Sequence, residues 1–238
     1  MHIFNATDVE NYMKQDWIMQ LLKSCAEKSC VEKNVITVAT NEWLMTDVNK
    51  RMIYAEMYGD FLIEKQNKKV LDAGGGVSLL TNVLAENTEY TLVDLLAHGG
   101  KEYLKQHKNL HVKLKALDWY LLEMDEDYDV ILANDIFPNV DQRMELFIEK
   151  MLPHCRELRM SVTYYNTLRF YVTRRLDAEE ILTMLCYDGD MVSSKLKKYL
   201  SEMIDTKEKD LVDMKTDKSS IYENGRQVAY IRMRGGIQ

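Results

Sequence analysis

Apolar and polar positions follow two different rhythms along this chain, and the change of rhythm divides it near residue 66. Before that point the spacing is helical: Val9, Tyr12, Met13, Trp17, Leu21 and Leu22 recur at steps of three and four, which predicts a helix over residues 8–30 with Asp8 as its N-cap. A second helix is expected from residue 46 or 47 to 66, where Val48, Met52, Tyr54 or Ala55, Tyr58 and Leu62 line one face around Gly59. The β-branched run in residues 31–39 reads as a short strand or an extended connector.

From Lys68 onward the apolar runs become short and continuous. Val70 and Leu71, residues 90–93 and residues 128–133 suit parallel strands buried on both faces, and a fifth strand is expected around residues 158–164. Leu110, Val112, Leu114 and Ala116 instead alternate with polar residues, as a half-exposed edge strand would. Helices are expected between these strands, beginning near Val77, over residues 101–107, and over residues 141–152 before Pro153. Residues 163–205 read as mainly helical, in two pieces broken near residues 188–190. The segments DLVDMK and RQVAYIRMRG flank a turn holding Glu223, Asn224 and Gly225, which predicts a closing hairpin.

These elements imply an α/β fold: a mostly parallel seven-stranded sheet with helices on both faces and an antiparallel last strand. Residues 1–66 would form an N-terminal helical cap or lid, and residues 67–238 the sheet domain.

Composition narrows the partners. The chain has 238 residues, 46% hydrophobic and 29% charged, as expected of a soluble globule, with a net charge of −7 that argues against nucleic acid or an anionic membrane as a partner. No apolar run is long enough to span a bilayer, and the start MHIFNATDVENY has neither a basic nor an apolar leader region, so a cytoplasmic protein is expected. Cys25, Cys30, Cys155 and Cys186 form no C-x-x-C pair, and no metal site is expected.

The chemistry gathers in residues 68–94. The first strand runs into Asp72, Ala73, Gly74, Gly75 and Gly76, where near-absence of side chains lets a ligand reach main-chain N–H groups at the start of a helix. The second strand delivers Asp94, 18 residues beyond Gly76, close to the spacing at which mononucleotide-binding βαβ units place an acid on a ribose. The pattern D-x-G-x-G-x-S, from Asp72 to Ser78, resembles the class I S-adenosylmethionine-dependent methyltransferases rather than the dinucleotide fingerprint.

That resemblance implies the cofactor S-adenosylmethionine and the product S-adenosylhomocysteine. It places Asp72, Gly74, Gly75 and Gly76 near the methionine portion, Asp94 on the ribose hydroxyls, and Leu95 under the adenosine. Asp118 and Trp119, ending the third strand, would meet the adenine amino group and ring, with loop packing as the other reading of Trp119. Asn134 and Asp135 end the fourth strand and should face the crevice. Asp135 is the expected general base for a hydroxyl acceptor, or else a cap of its own turn.

The loop ANDIFPNVD matches neither the histidine-bearing small-molecule motif nor the proline-bearing amino-group motif of that family, so the acceptor atom stays open between O and N. A small molecule or sugar is the expected acceptor, met by Tyr54, Tyr58, Phe137, Tyr164 and Tyr165, although aromatic residues of the cap equally serve to pack it onto the core. A homodimer through the N-terminal helices is a further expectation. Two other classes remain: a nicotinamide-dependent oxidoreductase, opposed by Asp72, Ser78 and the closing hairpin, and a non-catalytic subunit that keeps the fold.

Overall fold

The computed structural model describes residues 1–28, 38–97, 100–101, 112–175, 180–217 and 219–237. Its centre is a seven-stranded sheet whose order, in chain numbering, is β1-β9-β6-β5-β2-β3-β4. The strands are β1 (His2–Ile3), β2 (Lys69–Ala73), β3 (Glu89–Val93), β4 (Lys113–Lys115), β5 (Tyr128–Ala133), β6 (Cys155–Tyr165) and β9 (Arg226–Arg234). From β4 across to β6 the strands are parallel, and β9 lies antiparallel to β6 over a nine-residue register from Glu157↔Arg234 to Tyr165↔Arg226. The expected antiparallel last strand is therefore present. The seventh strand, however, comes from the start of the chain, where His2 and Ile3 pair with Tyr230 and Ala229.

Because alternate strand residues face opposite ways, the sheet has a core on each side. Leu71, Ile131, Val162 and Met233 pack toward Phe137, Phe147 and Met151, beneath α6 (Met144–Met151), α7 (Gly189–Leu196) and α8 (Glu208–Thr216). Val70, Leu92, Val130 and Val228 pack the other way, onto α1 (Ala6–Met13), α2 (Trp17–Lys28), α4 (Val48–Ile63) and α5 (Thr81–Asn87) through Ile18, Leu22, Met57, Phe61 and Leu84. The N-terminal helices thus share one continuous core with the sheet. Arg159 reinforces that union from β6: its guanidinium makes paired bonds of 2.8 and 2.9 Å to Asp60 on α4, and lies 4.9 Å from the centre of the Phe61 ring.

Several expectations change in detail. The first helix is two, broken at Asp16 (φ +20°), and its cap is Asn5, whose side chain accepts from Thr7 and Asp8 while Asp8 answers the Asn5 N–H. Asp47 caps α4 through the N–H groups of Asn49 and Lys50. A short helix α3 (Ala39–Thr46) precedes it, while residues 31–37 of the β-branched run and most of the expected 101–107 helix lie outside the described residues.

Two larger corrections concern the second half. Residues expected to be helical after the fifth strand form an antiparallel hairpin, β7 (Arg169–Arg175) with β8 (Glu180–Cys186), followed by α7 starting at the Asp188 cap. The segment carries no alternation of apolar and polar residues; its aromatic and β-branched residues suit a strand once Tyr171 and Met184 have a cavity to face, while Phe170, Val172 and Ile181 stand exposed. The closing hairpin is also absent: DLVDMK lies in α8, and β9 takes β6 as its partner instead. Gly225, at φ +79°, still makes the turn that admits β9 to the sheet.

Replacing Arg159 by Ala should leave Asp60 with only Lys68, at 3.9 Å, and loosen α4 from the sheet. An equilibrium urea titration is expected to show a loss of about 2 kcal/mol, the usual scale for charge-assisted hydrogen bonds.

Candidate active site

A cavity of about 1050 Å³ opens at the carboxyl ends of β2, β3 and β5. Its floor is the loop Gly74–Gly76, where Gly74 and Gly76 have φ of +69° and +68°. A Cβ at Gly74 would meet the Ile136 side chain at 2.4 Å, at Gly75 the Asp72 carboxylate at 2.1 Å, and at Gly76 the Thr40 hydroxyl at 2.6 Å. All three glycines are needed for the close approach, two of them also for the left-handed turn.

Asp94, at the end of β3, ties the loop from the side. One carboxylate oxygen accepts the Gly76 N–H at 3.1 Å and the other the Leu96 N–H at 2.6 Å, leaving further lone pairs toward the cavity. Leu95, 55% exposed, stands beside it on the cavity wall.

Asp72 lies beneath the loop and does not border the cavity. It is 1% exposed, and its two oxygens accept the Tyr58 hydroxyl at 3.1 Å and the Tyr90 hydroxyl at 2.6 Å. Burial pushes its carboxyl up to about 7; the two phenols pull the other way and the nearby Asp94 charge adds to the rise.

The wall at β4 holds Asp118 and Trp119. Trp119 is wedged edge-on against Phe137 and Phe147, and its indole N–H donates to Asp141 at 2.8 Å. Arg143 binds Asp118 at 2.9 Å and Asp141 at 2.6 Å, with its guanidinium 4.8 Å from the Trp119 ring centre. Trp119 thus both packs the loop and lines the cavity.

At the opposite end stand Asn134 and Asp135. Asn134 accepts the Ser161 hydroxyl at 2.7 Å. Asp135 has φ +58°, and its N–H donates to the Ser161 hydroxyl at 2.8 Å. Its carboxylate pairs with Lys50 at 2.8 Å and with Arg226, and accepts the Thr163 hydroxyl at 3.3 Å. Burial pushes Asp135 up, but Arg226 and Lys50 outweigh it and hold the carboxyl below its ordinary range. A carboxylate so engaged is a weak proton acceptor, which bears against the expected role of general base.

The expected acceptor residues divide. Tyr54 borders the cavity, 5% exposed and stacked on Tyr58 at 4.1 Å between ring centres. Tyr58 itself is fully buried on Asp72, Phe137 is fully buried against Trp119 and Phe147, and Tyr164 is fully buried, so these three pack the core and do not line the cavity. Tyr165 sits one layer back, its ring 6.4 Å from Tyr171. Residues the sequence reading passed over line the wall instead: Lys50, Asn139, Arg143, Tyr171, Met184, Tyr222 and Arg226. Lys50 precedes Tyr54 by one helical turn and was legible there. Tyr171 was not, because its strand was expected as helix, and Arg226 was not, because its strand was expected to pair with the preceding segment rather than with β6.

No family model matches the sequence, and no curated protein matches it. Solved structures do. The fold resembles that of Burkholderia thailandensis 1,6-didemethyltoxoflavin-N1-methyltransferase, crystallised with 1,6-didemethyltoxoflavin and S-adenosylhomocysteine, with a TM-score of 0.51, 14% identity, and 81% of this chain and 80% of that one covered. It also resembles the N-terminal domain of EvdMO1 with S-adenosylhomocysteine bound (TM-score 0.52, 10% identity, 91% and 96% covered). A third is a putative S-adenosylmethionine-dependent methyltransferase from Listeria monocytogenes (0.51, 12%, 78% and 98%). With this strand order and these neighbours, the chain has the Rossmann-like fold of the class I S-adenosylmethionine-dependent methyltransferases.

The raised Asp72 pKa gives a measurable pH dependence. Between about pH 4 and 7 the folded chain retains a proton that the unfolded chain releases, so folding stability falls as pH rises through this window and levels off above it. Against an Asp72→Asn variant, urea titrations at stepped pH should show wild type losing up to about 4 kcal/mol of relative stability from pH 4 to pH 7. A constant difference would mean that Asp72 ionises normally.

Proposed function

We propose that this chain is an S-adenosylmethionine-dependent methyltransferase that moves a methyl group to an O or N atom of a small molecule or sugar and releases S-adenosylhomocysteine. The observation that carries the reading is the glycine floor with Asp94 at its edge, both opening into a cavity large enough for a nucleoside-bearing cofactor and a second molecule. Asp94 would hold the ribose hydroxyls through its remaining lone pairs. Leu95 and Trp119 would bracket the adenine, and Asp118 would accept from its amino group while Arg143 fixes the acid's orientation. The backbone of Gly74, Gly75 and Gly76, with Asn134, would receive the methionine portion. Asp72 would act from beneath, as the post on which the loop rests.

The bound cofactor supplies an activated methyl group on a positively charged sulfur. The protein's task is then orientation, and holding reactants in a near-attack geometry contributes about 7 to 11 kcal/mol in well-aligned systems. Tyr54 and the hairpin residues Tyr171 and Met184 are set to hold the acceptor against the loop, with the N-terminal helices as a lid carrying Tyr54 and Lys50. Asp135 would position Lys50 and Arg226 rather than take a proton. A cytoplasmic setting agrees with the acidic composition.

Thermal unfolding with ligand tests the reading. S-adenosylhomocysteine at about 100 times its dissociation constant should stabilise the chain by about 2.7 kcal/mol and raise the midpoint. A shift with NAD alone would favour an oxidoreductase, and no shift with either would favour a non-catalytic subunit. By calorimetry, Asp94→Ala should weaken S-adenosylhomocysteine binding tenfold or more, a loss of about 1.4 kcal/mol. Unchanged affinity would remove the ribose role.

If an acceptor is found, Asp135→Asn should raise its KM with little change in S-adenosylhomocysteine affinity. Steady-state kinetics would return Asp135 to the role of base if kcat instead fell steeply with a titration near neutral pH.

A further inference from the structure

The Asp72 carboxylate is buried without a countercharge. Among the described residues its two oxygens meet only the Tyr58 and Tyr90 hydroxyls, and the only other charge acting on it is that of Asp94, which has the same sign. The elements packed around it bring no cation: α4 offers Tyr54 and Tyr58, β3 offers Tyr90 and, at its tip, the half-buried Asp94, and the register partner on β5 is Leu132. Two phenol donors satisfy hydrogen bonds but leave a negative charge uncompensated. Asp135 differs in having Lys50 and Arg226 in contact.

The missing partner matters because of where this carboxylate stands. It lies so close under the glycine loop that a Cβ on Gly75 would come within 2.1 Å of one oxygen, and Gly75 itself borders the cavity. A single layer of main chain therefore separates the charge from the floor on which the cofactor would rest. Its field reaches that floor: burial first, and the Asp72 charge next, push the phenol of Tyr54, on the cavity wall, above its ordinary range. Little water intervenes to screen it, since Asp72 is 1% exposed.

From this placement we infer that Asp72 sets which form of the cofactor the site prefers, favouring S-adenosylmethionine, whose sulfur is positively charged, over S-adenosylhomocysteine, whose sulfur is neutral. The inference rests on the methyltransferase reading and adds a specificity-determining residue that does not itself border the cavity. The two molecules share the adenosine and the amino-acid portion, so the charge on sulfur is what a carboxylate beneath the loop can distinguish. A cation above the loop supplies the countercharge and favours the ionised carboxylate; a neutral sulfur leaves it unpaired. With burial holding the carboxyl up at about 7, the preference is present above neutral pH and fades below it, as Asp72 takes up a proton. The residue that supports the loop thus also favours release of the spent cofactor.

Calorimetric titration of the full chain with each of the two molecules, stepped from about pH 5.5 to about pH 8, tests this. The ratio of the two affinities should turn about fivefold or more toward S-adenosylmethionine across that range, as a one-unit difference in the Asp72 pKa between the two complexes requires. Asp72→Asn should abolish that turn. The ligands' own amino groups titrate alike with both proteins, so the wild-type change is read against the variant's. Tyr90→Phe removes the 2.6 Å donor to Asp72 and keeps the ring, so the pH midpoint of the turn should move upward, a readout that stays usable if Asp72→Asn fails to fold. A purely structural Asp72 would weaken both ligands in parallel. Parallel affinities across pH in wild type, the same turn in Asp72→Asn, or an unmoved midpoint in Tyr90→Phe would each overturn the inference and leave the methyltransferase reading standing. Binding of neither molecule would overturn both.

Discussion

The buried carboxylate of Asp72 is the constraint around which the site is assembled. It ends the central strand, receives a hydroxyl from Tyr58 on α4 and another from Tyr90 on β3, and lies so close under Gly75 that no side chain fits there. One charged or protonated group thus joins a helix of the N-terminal layer, two strands and the glycine loop. A buried carboxyl without such partners would be costly, whereas one with two phenol donors is tolerated and fixes their relative positions. The loop's conformation follows from what supports it as much as from its own glycines.

A second charged centre, Asp135 with Lys50 and Arg226, works on the same plan at the other end of the cavity. It draws one residue from α4, one from the tip of β5 and one from the start of β9, so elements remote in sequence meet around a single carboxylate. The two centres differ in their consequence. Asp72 is shielded, and burial raises its carboxyl; Asp135 is surrounded by cations, which lower its own. Burial dominates the first and neighbouring charge the second, although both are acids at the carboxyl ends of adjacent parallel strands.

What could be read in advance was what lies close in sequence. The strand, the three glycines and the acid at Asp94 fall within one βαβ unit, and their side-chain or backbone chemistry needs nothing from elsewhere to be recognised. The continuous apolar runs gave β2, β3 and β5, and the caps and the proline marked α4 and α6 within a few residues. Misreadings arose where local pattern and tertiary partner compete. The 169–186 segment has few turn signals and on its local pattern suits a helix, yet it pairs with itself beside the cavity. The segment before the Asn-Gly turn looked like half of a hairpin, but the last strand found a longer register on β6.

The sequence alone determined that this is an α/β chain with a nucleotide-type loop, because glycine content, strand polarity and the spacing to Asp94 are local quantities. Only the tertiary structure decided that Asp72 supports the loop from below, that Tyr58, Phe137 and Tyr164 belong to the core, and that Asp135 faces two cations. Those outcomes depend on which distant groups share a buried volume, and desolvation and charge pairing there exceed any preference that a residue carries in its own stretch of chain.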